Sequence, residues 1–429
     1  MNIHITGGQQ LSGEITPSGS KNSAVCLIPA SLLFDRPITL ENVPEITDVG
    51  RLIKILQKLG SKIDWNLETK RMTIDNSEVR FEDLDHTDLG NMKGTSLLWG
   101  PMLARFKKVE FKDLPGGCTL GVRPLDAHFD AFSKMGVTVH ENTSNASMSA
   151  ERVQSTTLWL TEMSPTATEN VIMLATCVKG TTKIIGAASE PQVQDLCEFL
   201  TKAGVTIRGA GTSVLEIDGV ESLNPITHRI WPDHYEIATF LALSAVTGKN
   251  IVVRDPLPDL FGFIDHVFSL FGLNVLYENN TARIDPSSSF VVRTSGERKY
   301  LTVRAQPWPG LPVDLLPIFI PLALALPQGQ ILFHNWMYES GLFWTSELSK
   351  LGANIIMADP HRVIVTAGSQ LSGAKLEAPY IIRAVVAMLM AALIAKGDTT
   401  ILNGDALFRG HPHFDENLTR LGAKVTIEK

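Results

Sequence analysis

The chain has 429 residues, of which 44% are hydrophobic and 19% are charged, and its net charge is -7. This composition is typical of a soluble globular protein with two or three domains, and the acidic balance argues against a nucleic-acid-binding protein. The first residues, MNIHITGGQQLSGEI, lack the charged and apolar regions of a secretory signal. The most apolar segments, 315–326 and 385–395, are too short to cross a bilayer, so no membrane insertion is expected.

The four cysteines show no spacing typical of a zinc site or a disulfide framework. Cys26, Cys177 and Cys197 lie in helical patterns, where we expect reduced thiols that pack as small apolar groups. Reduced cysteines favour the cytoplasm as the compartment. Cys118 differs from the other three because it lies in the glycine-rich stretch PGGCTLGVRP, residues 115–124.

A pattern that recurs six times along the chain predicts the fold. A helix ends at a glycine, where the positive φ of a helix C-cap is needed, and an alternating strand follows at once. The six glycines are Gly60, Gly136, Gly204, Gly272, Gly352 and Gly422. A helix that is apolar on nearly all sides precedes each of them, in NSAVCLIPASLLF, TSLLWGPMLARF, TENVIMLATCV, YEIATFLALSAV, DLLPIFIPLALAL and IIRAVVAMLMAALIA. A short strand follows each apolar helix.

Six βαβαβ-type units predict an α/β protein of pseudo-symmetric build, with the apolar helices buried inside and the sheets outside. A solenoid is the alternative architecture. Its repeats are 20 to 50 residues long, whereas the units of this chain are about 70 residues long.

Charged side chains lie near the starts of the apolar helices. Ser20 is placed to cap the first helix, and Lys21 adds a full charge where free N–H groups favour phosphate. Arg383 lies in an apolar helix, where an arginine is costly unless it is paired or binds an anion. Asp314 opens a proline-rich helix start and is equally compatible with an ordinary N-cap.

Taken together, these residues predict a pocket for a small, multiply charged anion with an acid and a base beside it. The cations are Lys21, Arg123, Arg383 and Arg409, the thiol is Cys118 and the carboxylate is Asp314. The loop around Cys118 has two interpretations. It is either an ordinary surface turn or a lid that delivers a reactive thiol to an anion held by Arg123.

These residues resemble the enolpyruvyl transferase superfamily. The motifs SGSKNSA, NVPEITDV, LPGGCTLGVRPLDAH, TATENVIMLAT, EPQVQDL and PDHYEIATFL follow the order found in the branch that acts on UDP-N-acetylglucosamine, over essentially the whole chain. The PGGC loop is the most specific piece, since the shikimate-pathway branch has no such cysteine loop. The resemblance implies a two-domain inside-out α/β barrel of six repeats. One domain covers residues 21–230, the other covers 1–20 plus 231–429, and the active site is expected in the cleft between them.

The resemblance also implies the reaction, in which the enolpyruvyl group of phosphoenolpyruvate moves to a hydroxyl of a uridine nucleotide and phosphate is released. Neither a cofactor nor a metal is implied. By position, Cys118 is the general acid, and we expect the phosphoenolpyruvate mimic fosfomycin to alkylate it. Asp314 takes the hydroxyl proton and Arg383 holds the carboxylate of phosphoenolpyruvate. The implied phosphate ligands are Lys21, Arg123 and Arg409. The implied acceptor contacts are Asn22, Arg123, Pro124, Leu125, Asp126 and Ser164, and Lys93 is a further implied substrate-binding residue.

Several positions depart from the pattern of that branch. Lys93 and His234 stand where it has arginine, Gly341 stands where an arginine is usual, and Ile381 stands where an aspartate is usual. The segment that contacts a diphosphate, Lys-Pro-Ser-Val-Gly, is replaced by EMSPT, residues 162–166. Glu162 in place of lysine repels a diphosphate, and Pro165 removes a backbone donor.

Because the acceptor site departs most, two acceptors stay open. One is the 3-hydroxyl of the N-acetylglucosamine of UDP-N-acetylglucosamine, in the first step of peptidoglycan precursor synthesis. The other is a different nucleotide such as uridine monophosphate, as in nucleoside-antibiotic pathways. A third possibility, a non-catalytic regulatory paralogue, predicts loss of Cys118, Lys21 or Asp314, and all three are retained.

Overall fold

The structure is a computed structural model that describes residues 1–81, 93–112, 125–141, 145–293 and 300–428. The chain divides into two compact units. The terminal unit comprises Met1–Ser18 and Pro232–Lys429, and the central unit comprises Gly19–Gly117 and Val122–Trp231. Each unit has its own hydrophobic core, because the buried apolar residues fall into two separate clusters that follow this division.

Twelve α-helices lie in the described ranges, and short 3-10 helices precede or follow several of them. The α-helices are α1 Lys21–Ala30, α2 Thr47–Lys58, α3 Trp99–Phe106, α4 Asp126–Lys134, α5 Pro165–Ala175, α6 Pro191–Lys202, α7 His234–Val246, α8 Gly262–Leu270, α9 Phe319–Ala325, α10 Thr345–Leu348, α11 Ile382–Ile394 and α12 Phe414–Arg420. The 3-10 helices are Ser31–Leu33, Lys93–Leu98, Pro258–Leu260, Leu316–Ile318, Ser349–Leu351 and Gly404–Arg409.

The same ranges hold 23 strands. They are β1 Asn2–Thr6, β2 Ser12–Ile15, β3 Ile38–Glu41, β4 Lys62–Asn66, β5 Arg71–Asp75, β6 Lys108–Lys112, β7 Thr138–Glu141, β8 Asn145–Ser149, β9 Thr157–Trp159, β10 Gly180–Ile185, β11 Thr206–Arg208, β12 Val214–Gly219, β13 Thr227–Arg229, β14 Asn250–Arg254, β15 Val275–Glu278, β16 Thr281–Ile284, β17 Leu301–Arg304, β18 Gln330–His334, β19 Asn354–Asp359, β20 Arg362–Thr366, β21 Lys375–Glu377, β22 Asp398–Leu402 and β23 Val425–Glu428.

The strands form six small sheets, three in each unit, and three of the sheets include one strand from a distant part of the chain, namely β1, β2 or β13. The central unit holds sheets of order β13-β3-β5-β4, β6-β8-β7 and β11-β12-β10-β9. The terminal unit holds sheets of order β15-β16-β14-β2, β17-β18-β20-β19 and β21-β22-β1-β23. The parallel pairs β9–β10, β17–β18 and β21–β22 flank α5, α9 and α11, as expected of βαβ crossovers.

The apolar helices form the interior of each unit, as the sequence predicts. In the terminal unit, α7, α9 and α11 all contact one another, and all residues of α7 except the last are buried. In the central unit, α3 packs against α5, and α1 packs against the 3-10 helix that leads into α3. The helices α2, α4 and α6 are amphipathic, and each of them contacts a strand of the central unit. The α/β prediction with buried helices inside is therefore confirmed.

Details of three predicted helices differ from the pattern. The helices expected in TSLLWGPMLARF and DLLPIFIPLALAL begin as 3-10 turns, at Lys93–Leu98 and Leu316–Ile318. The helix expected through Cys177 ends at Ala175, so Cys177 is exposed and the expectation that it packs in a helix is wrong. Cys26 and Cys197 are buried as predicted, and burial raises the pKa of the Cys197 thiol to about 12.

All six repeat glycines adopt the predicted conformation, with φ between 76° and 107°. Gly136 shows why a side chain is excluded there, since an added Cβ would lie 2.6 Å from the carbonyl oxygen of Arg152. Among the described residues, the helices are all too short or too polar to cross a membrane.

Candidate active site

In the central unit, the start of α1 carries the first predicted cation. Ser20 is the N-cap, and its Oγ accepts a hydrogen bond of 3.2 Å from the Ser23 backbone N–H, as predicted. Lys21 is the first residue of the helix, and its Nζ lies 3.2 Å from Oδ2 of Asp48 in the first turn of α2. The ion pair is largely buried, with side chains 18% and 5% exposed. Asn22, the next residue, is half-buried.

The starts of α4 and α5 are joined by a polar network. Ser164 is the N-cap of α5, and its Oγ accepts a hydrogen bond from Ala167 N. The buried His128 of α4 contacts Thr166 Oγ1 through Nε2 (3.1 Å) and Asn170 Nδ2 through Nδ1 (3.1 Å). Asn170 Oδ1 accepts from Gly100 N, so its amide donates to His128, which places the histidine proton on Nε2.

The predicted diphosphate segment, residues 162–166, has no backbone donor at the first residue of α5. Pro165 is that residue and has no N–H, while the Thr166 hydroxyl oxygen accepts a hydrogen bond from His128 Nε2. Glu162 is exposed, so a solvated negative charge lies two residues before the helix cap. Leu125 is the N-cap residue of α4 and is half-buried, and Asp126 is exposed in its first turn. The start of α5 is therefore less suited to binding a diphosphate than the family segment Lys-Pro-Ser-Val-Gly.

Three predicted site residues, Cys118, Arg123 and Pro124, lie outside the described residues. Lys93 is the first residue of the 3-10 helix Lys93–Leu98, which precedes α3, and its side chain is also outside the description. The roles of these four residues stay predictions.

In the terminal unit, Arg383 lies in the first turn of α11 and is 7% exposed. Its Nη1 is 2.5 Å from Nε2 of His411, and its Cζ lies 4.6 Å from the centre of the Tyr235 ring. Within the described residues, Arg383 has no carboxylate partner. A buried guanidinium that is held only by neutral groups favours binding of an anion.

The environment of α11 adds to this preference. Ile381, which replaces an aspartate, is the N-cap residue and makes no side-chain cap bond, and the first turn has no acidic residue. The partial positive charge of this helix start is therefore not offset locally.

Asp314 is half-buried in a turn two residues ahead of the 3-10 helix Leu316–Ile318, and it does not cap that helix. Within the part of the chain that the structure describes, its carboxylate has no hydrogen-bond or ion-pair partner. The charges of Arg383 and Asp314 both shift the pKa of His234, so these two side chains lie in one cluster with the histidine. Within the described residues, Arg383 and Asp314 do not pair with each other.

His234, the first residue of α7, connects these charged groups. The ring is fully buried, its centre lies 4.0 Å from that of Tyr235, and Trp308 approaches edge-on at 5.9 Å. Burial, against the raising effect of the Asp233 charge, lowers the pKa of His234 to about 4, with smaller effects from Arg383, which lowers it, and Asp314, which raises it. His234 is therefore neutral at pH 7, unlike the arginine that the resemblance leads one to expect.

Two further positions singled out by the sequence are Arg409, which the resemblance makes a phosphate ligand, and Gly341, which departs from the family pattern. Arg409 ends the 3-10 helix Gly404–Arg409, and its Cζ lies 5.0 Å from the ring of the exposed Tyr380. Gly341 is buried, and an added Cβ would lie 2.1 Å from Asn335 Nδ2, so the usual arginine does not fit there unless Asn335 moves.

The structure thus brings together Arg383, Asp314 and His234 in the terminal unit, and Lys21 and Asp48 in the central unit. The sequence analysis missed Asp48, Tyr235 and His411 as site residues. Each lies in a segment whose resemblance or charge drew attention: Asp48 in NVPEITDV, Tyr235 in PDHYE and His411 two residues after Arg409. In the described ranges, no group of three His, Cys, Asp or Glu side chains is arranged to hold a metal ion.

Comparison with known families agrees with this fold. Residues 5–418 match the family described as EPSP synthase (3-phosphoshikimate 1-carboxyvinyltransferase). The chain belongs to this family of enolpyruvyl transferases, and it is an enzyme. The resemblance found in the sequence is therefore confirmed.

Curated relatives cover almost the full length. UDP-N-acetylglucosamine 1-carboxyvinyltransferase of Borreliella burgdorferi is 36% identical over 98% of this chain and 97% of the relative. The protein of the same name from Treponema denticola is 35% identical over 99% of both. Among solved structures, the enolpyruvyl transferase NikO from Streptomyces tendae is 22% identical, with a TM-score of 0.85, and the match covers 99% of this chain and 98% of that one. EPSP synthase from Acinetobacter baumannii is 15% identical, with a TM-score of 0.75, and 99% and 100% of the two chains are covered. At these identities, the two structures show a shared fold.

Proposed function

We propose that the protein transfers the enolpyruvyl group of phosphoenolpyruvate to the 3-hydroxyl of the N-acetylglucosamine of UDP-N-acetylglucosamine and releases phosphate. The observation that carries this proposal is the full-length similarity to enzymes named for that acceptor, at up to 36% identity. The buried cation Arg383, which has no carboxylate partner among the described residues, and the carboxylate Asp314 support it, since the reaction needs an anion-binding group and a base. Because both substrates are cytoplasmic metabolites, a cytoplasmic location belongs to the proposal.

In the proposed reaction, Lys21, Arg123 and Arg409 hold the phosphate of phosphoenolpyruvate, and Arg383 holds its carboxylate. Cys118 gives a proton to the methylene carbon, which becomes a methyl group, while the acceptor oxygen bonds to the adjacent carbon. Asp314 takes the proton that this oxygen loses. The resulting tetrahedral ketal then loses phosphate from the same carbon and a proton from the methyl group, which restores the double bond.

A second acceptor is favoured by one observation, the start of α5. There Pro165 lacks an N–H, and the exposed Glu162 carries a negative charge. A nucleotide without a diphosphate at this place, such as uridine monophosphate, avoids the repulsion from Glu162.

Release of phosphate from phosphoenolpyruvate distinguishes the acceptors. The protein is assayed with UDP-N-acetylglucosamine, with uridine monophosphate and with no acceptor, and the same assays on Asp314→Asn serve as the control. We expect release with the sugar nucleotide only, and strongly reduced release in the variant, because the base is lost. Release with the monophosphate only supports the second acceptor, and no release with either acceptor contradicts both.

A further inference from the structure

The environment of Arg383 contains a neutral hydrogen-bond acceptor where an ion-pair partner is usual for a buried arginine. His411 follows the 3-10 helix Gly404–Arg409, and its side chain is fully buried. Its ring centre lies 5.0 Å from that of Phe414, so the imidazole is packed as well as hydrogen-bonded. The His411 ring is therefore held in place beside α11 by a segment that follows α11 in the chain.

The bond to Arg383 defines the state of this histidine. A guanidinium has five N–H donors and no acceptor, so Nε2 of His411 accepts the bond from Nη1. The proton of the neutral imidazole is then on Nδ1. A protonated His411 has no lone pair for Arg383 and repels its charge.

The other contacts of Arg383 are neutral too. The Tyr235 ring lies under the guanidinium, and the neutral His234 contacts the same ring. Within the described ranges, only one of the five N–H donors of Arg383 has a protein acceptor. The remaining donors and the full positive charge are left for a ligand, and a carboxylate matches the planar fork of a guanidinium.

We infer that His411 is a positioning residue for Arg383: its Nε2 lone pair fixes the guanidinium over Tyr235 without neutralising it, and so orients it toward the carboxylate of phosphoenolpyruvate. This inference rests on the proposed function, because it deepens the role given there to Arg383. A carboxylate in place of His411 would compete with the substrate for the same cation, whereas an imidazole gives direction without charge.

Two variants of similar polarity separate the hydrogen bond from packing. In His411→Gln, the amide oxygen reaches about the place of Nε2, so the bond to Arg383 is kept. In His411→Asn, the oxygen reaches only about the place of Nδ1, so the bond is lost. His413→Gln is the matched control, since His413 is exposed in the same HPHF segment. Thermal unfolding of each variant checks that the fold is retained.

The measurements are KM for phosphoenolpyruvate and kcat with UDP-N-acetylglucosamine, and calorimetric binding of phosphoenolpyruvate without an acceptor. For His411→Asn we expect KM and Kd to rise about tenfold, as loss of one charge-assisted bond implies, with kcat changed less than threefold. We expect His411→Gln to recover most of this loss, and His413→Gln to match the wild type.

Equal losses in His411→Gln and His411→Asn, or no loss in His411→Asn, overturn the inference, even when the wild type turns over the sugar nucleotide. If phosphoenolpyruvate binding follows the expected order but no acceptor is turned over, the inference stands and the proposed function fails. A wild-type protein that binds no phosphoenolpyruvate overturns both. If His411→Asn unfolds, the binding constant of His411→Gln decides, since a tenfold loss there contradicts the inference.

Discussion

The ammonium group of Lys21 and the carboxylate of Asp48 form an ion pair of 3.2 Å between the first turns of α1 and α2. Both side chains are mostly shielded from water, so each charge offsets part of the desolvation cost of the other. The pair also limits the directions in which Lys21 can extend. A cation proposed to hold phosphate is therefore supported by a carboxylate that the proposed chemistry does not use.

Replacing Asp48 by asparagine tests this support. We expect Asp48→Asn to lower the free energy of unfolding by about 2 kcal/mol, less than for a fully buried pair because Lys21 is 18% exposed. Urea unfolding at pH 7 measures the change. Lys21→Met and the double variant complete a cycle, and a coupling energy near zero would show that the two charges do not stabilise each other.

The buried histidine of α7 predicts a loss of stability in mild acid. Burial lowers the pKa of His234 to about 4, whereas an unfolded histidine has a pKa near 6.5. As the pH falls from about 6.5 to 4, the unfolded chain takes up a proton that the folded chain does not bind. The folded state therefore loses up to about 3 kcal/mol across this window through His234 alone.

Unfolding free energies at pH 7.5, 5.5 and 4.5 measure this contribution. We expect His234→Gln to remove much of the decrease in unfolding free energy between pH 7.5 and pH 4.5. His140 is exposed, and we expect His140→Gln to leave this decrease unchanged. An identical pH dependence in His234→Gln and the wild type would contradict the neutral buried state of His234.

Asp265, in the outer helix α8, predicts a loss of stability as the pH rises, which is opposite to the pH dependence predicted for His234. Burial raises the pKa of Asp265 to about 6, although the Tyr277 hydroxyl donates to its carboxylate at 3.0 Å. A carboxyl group with a raised pKa stabilises the folded state fully below the pKa of the unfolded chain, near 4. This stabilisation is lost as the pH rises through about 6.

We therefore expect Asp265→Asn to raise the free energy of unfolding more at pH 8 than at pH 4.5, because the amide removes a partly buried charge. Solvent screening of this half-exposed group limits the gain to about 1 to 2 kcal/mol. Urea unfolding at the two pH values measures it, with the exposed Asp259→Asn as control. A gain of equal size at both pH values would rule out this explanation.

Glu162 offers a test of where the acceptor diphosphate binds. If the diphosphate lies at the start of α5, Glu162→Lys lowers KM for UDP-N-acetylglucosamine by about threefold to tenfold at low salt, and Glu162→Gln gives an intermediate value. KM for phosphoenolpyruvate is the internal control and stays within twofold. An unchanged KM for the sugar nucleotide in both variants would place its diphosphate elsewhere.

The repeats of the fold were predictable because each is written in local sequence. Gly60 and the five corresponding glycines mark positive φ at a helix end, and helices without a polar face mark the interior. Local pattern was less reliable where prolines intervene. Pro317 lies inside the 3-10 helix that precedes α9, and the helix predicted there is correspondingly shorter.

The contacts of the candidate site were less predictable, because they join residues far apart in sequence. The partners Arg383 and His411 are 28 residues apart, and no periodicity links them. Gly341 is similar, since the sequence shows that an arginine is missing but not that Asn335 occupies its place. Asp314, by contrast, was identified from its unusual position, and the structure leaves its carboxylate without a partner in the described ranges.

The most direct test of the central claim is a competition experiment analysed by mass spectrometry. The protein is incubated with phosphoenolpyruvate and equal concentrations of UDP-N-acetylglucosamine and uridine monophosphate. The masses of both nucleotides are then measured. The account predicts a carboxyvinyl group on the sugar nucleotide, formed in equal amount with phosphate, and unmodified uridine monophosphate. A carboxyvinyl group on the monophosphate alone, or on neither nucleotide, would contradict it.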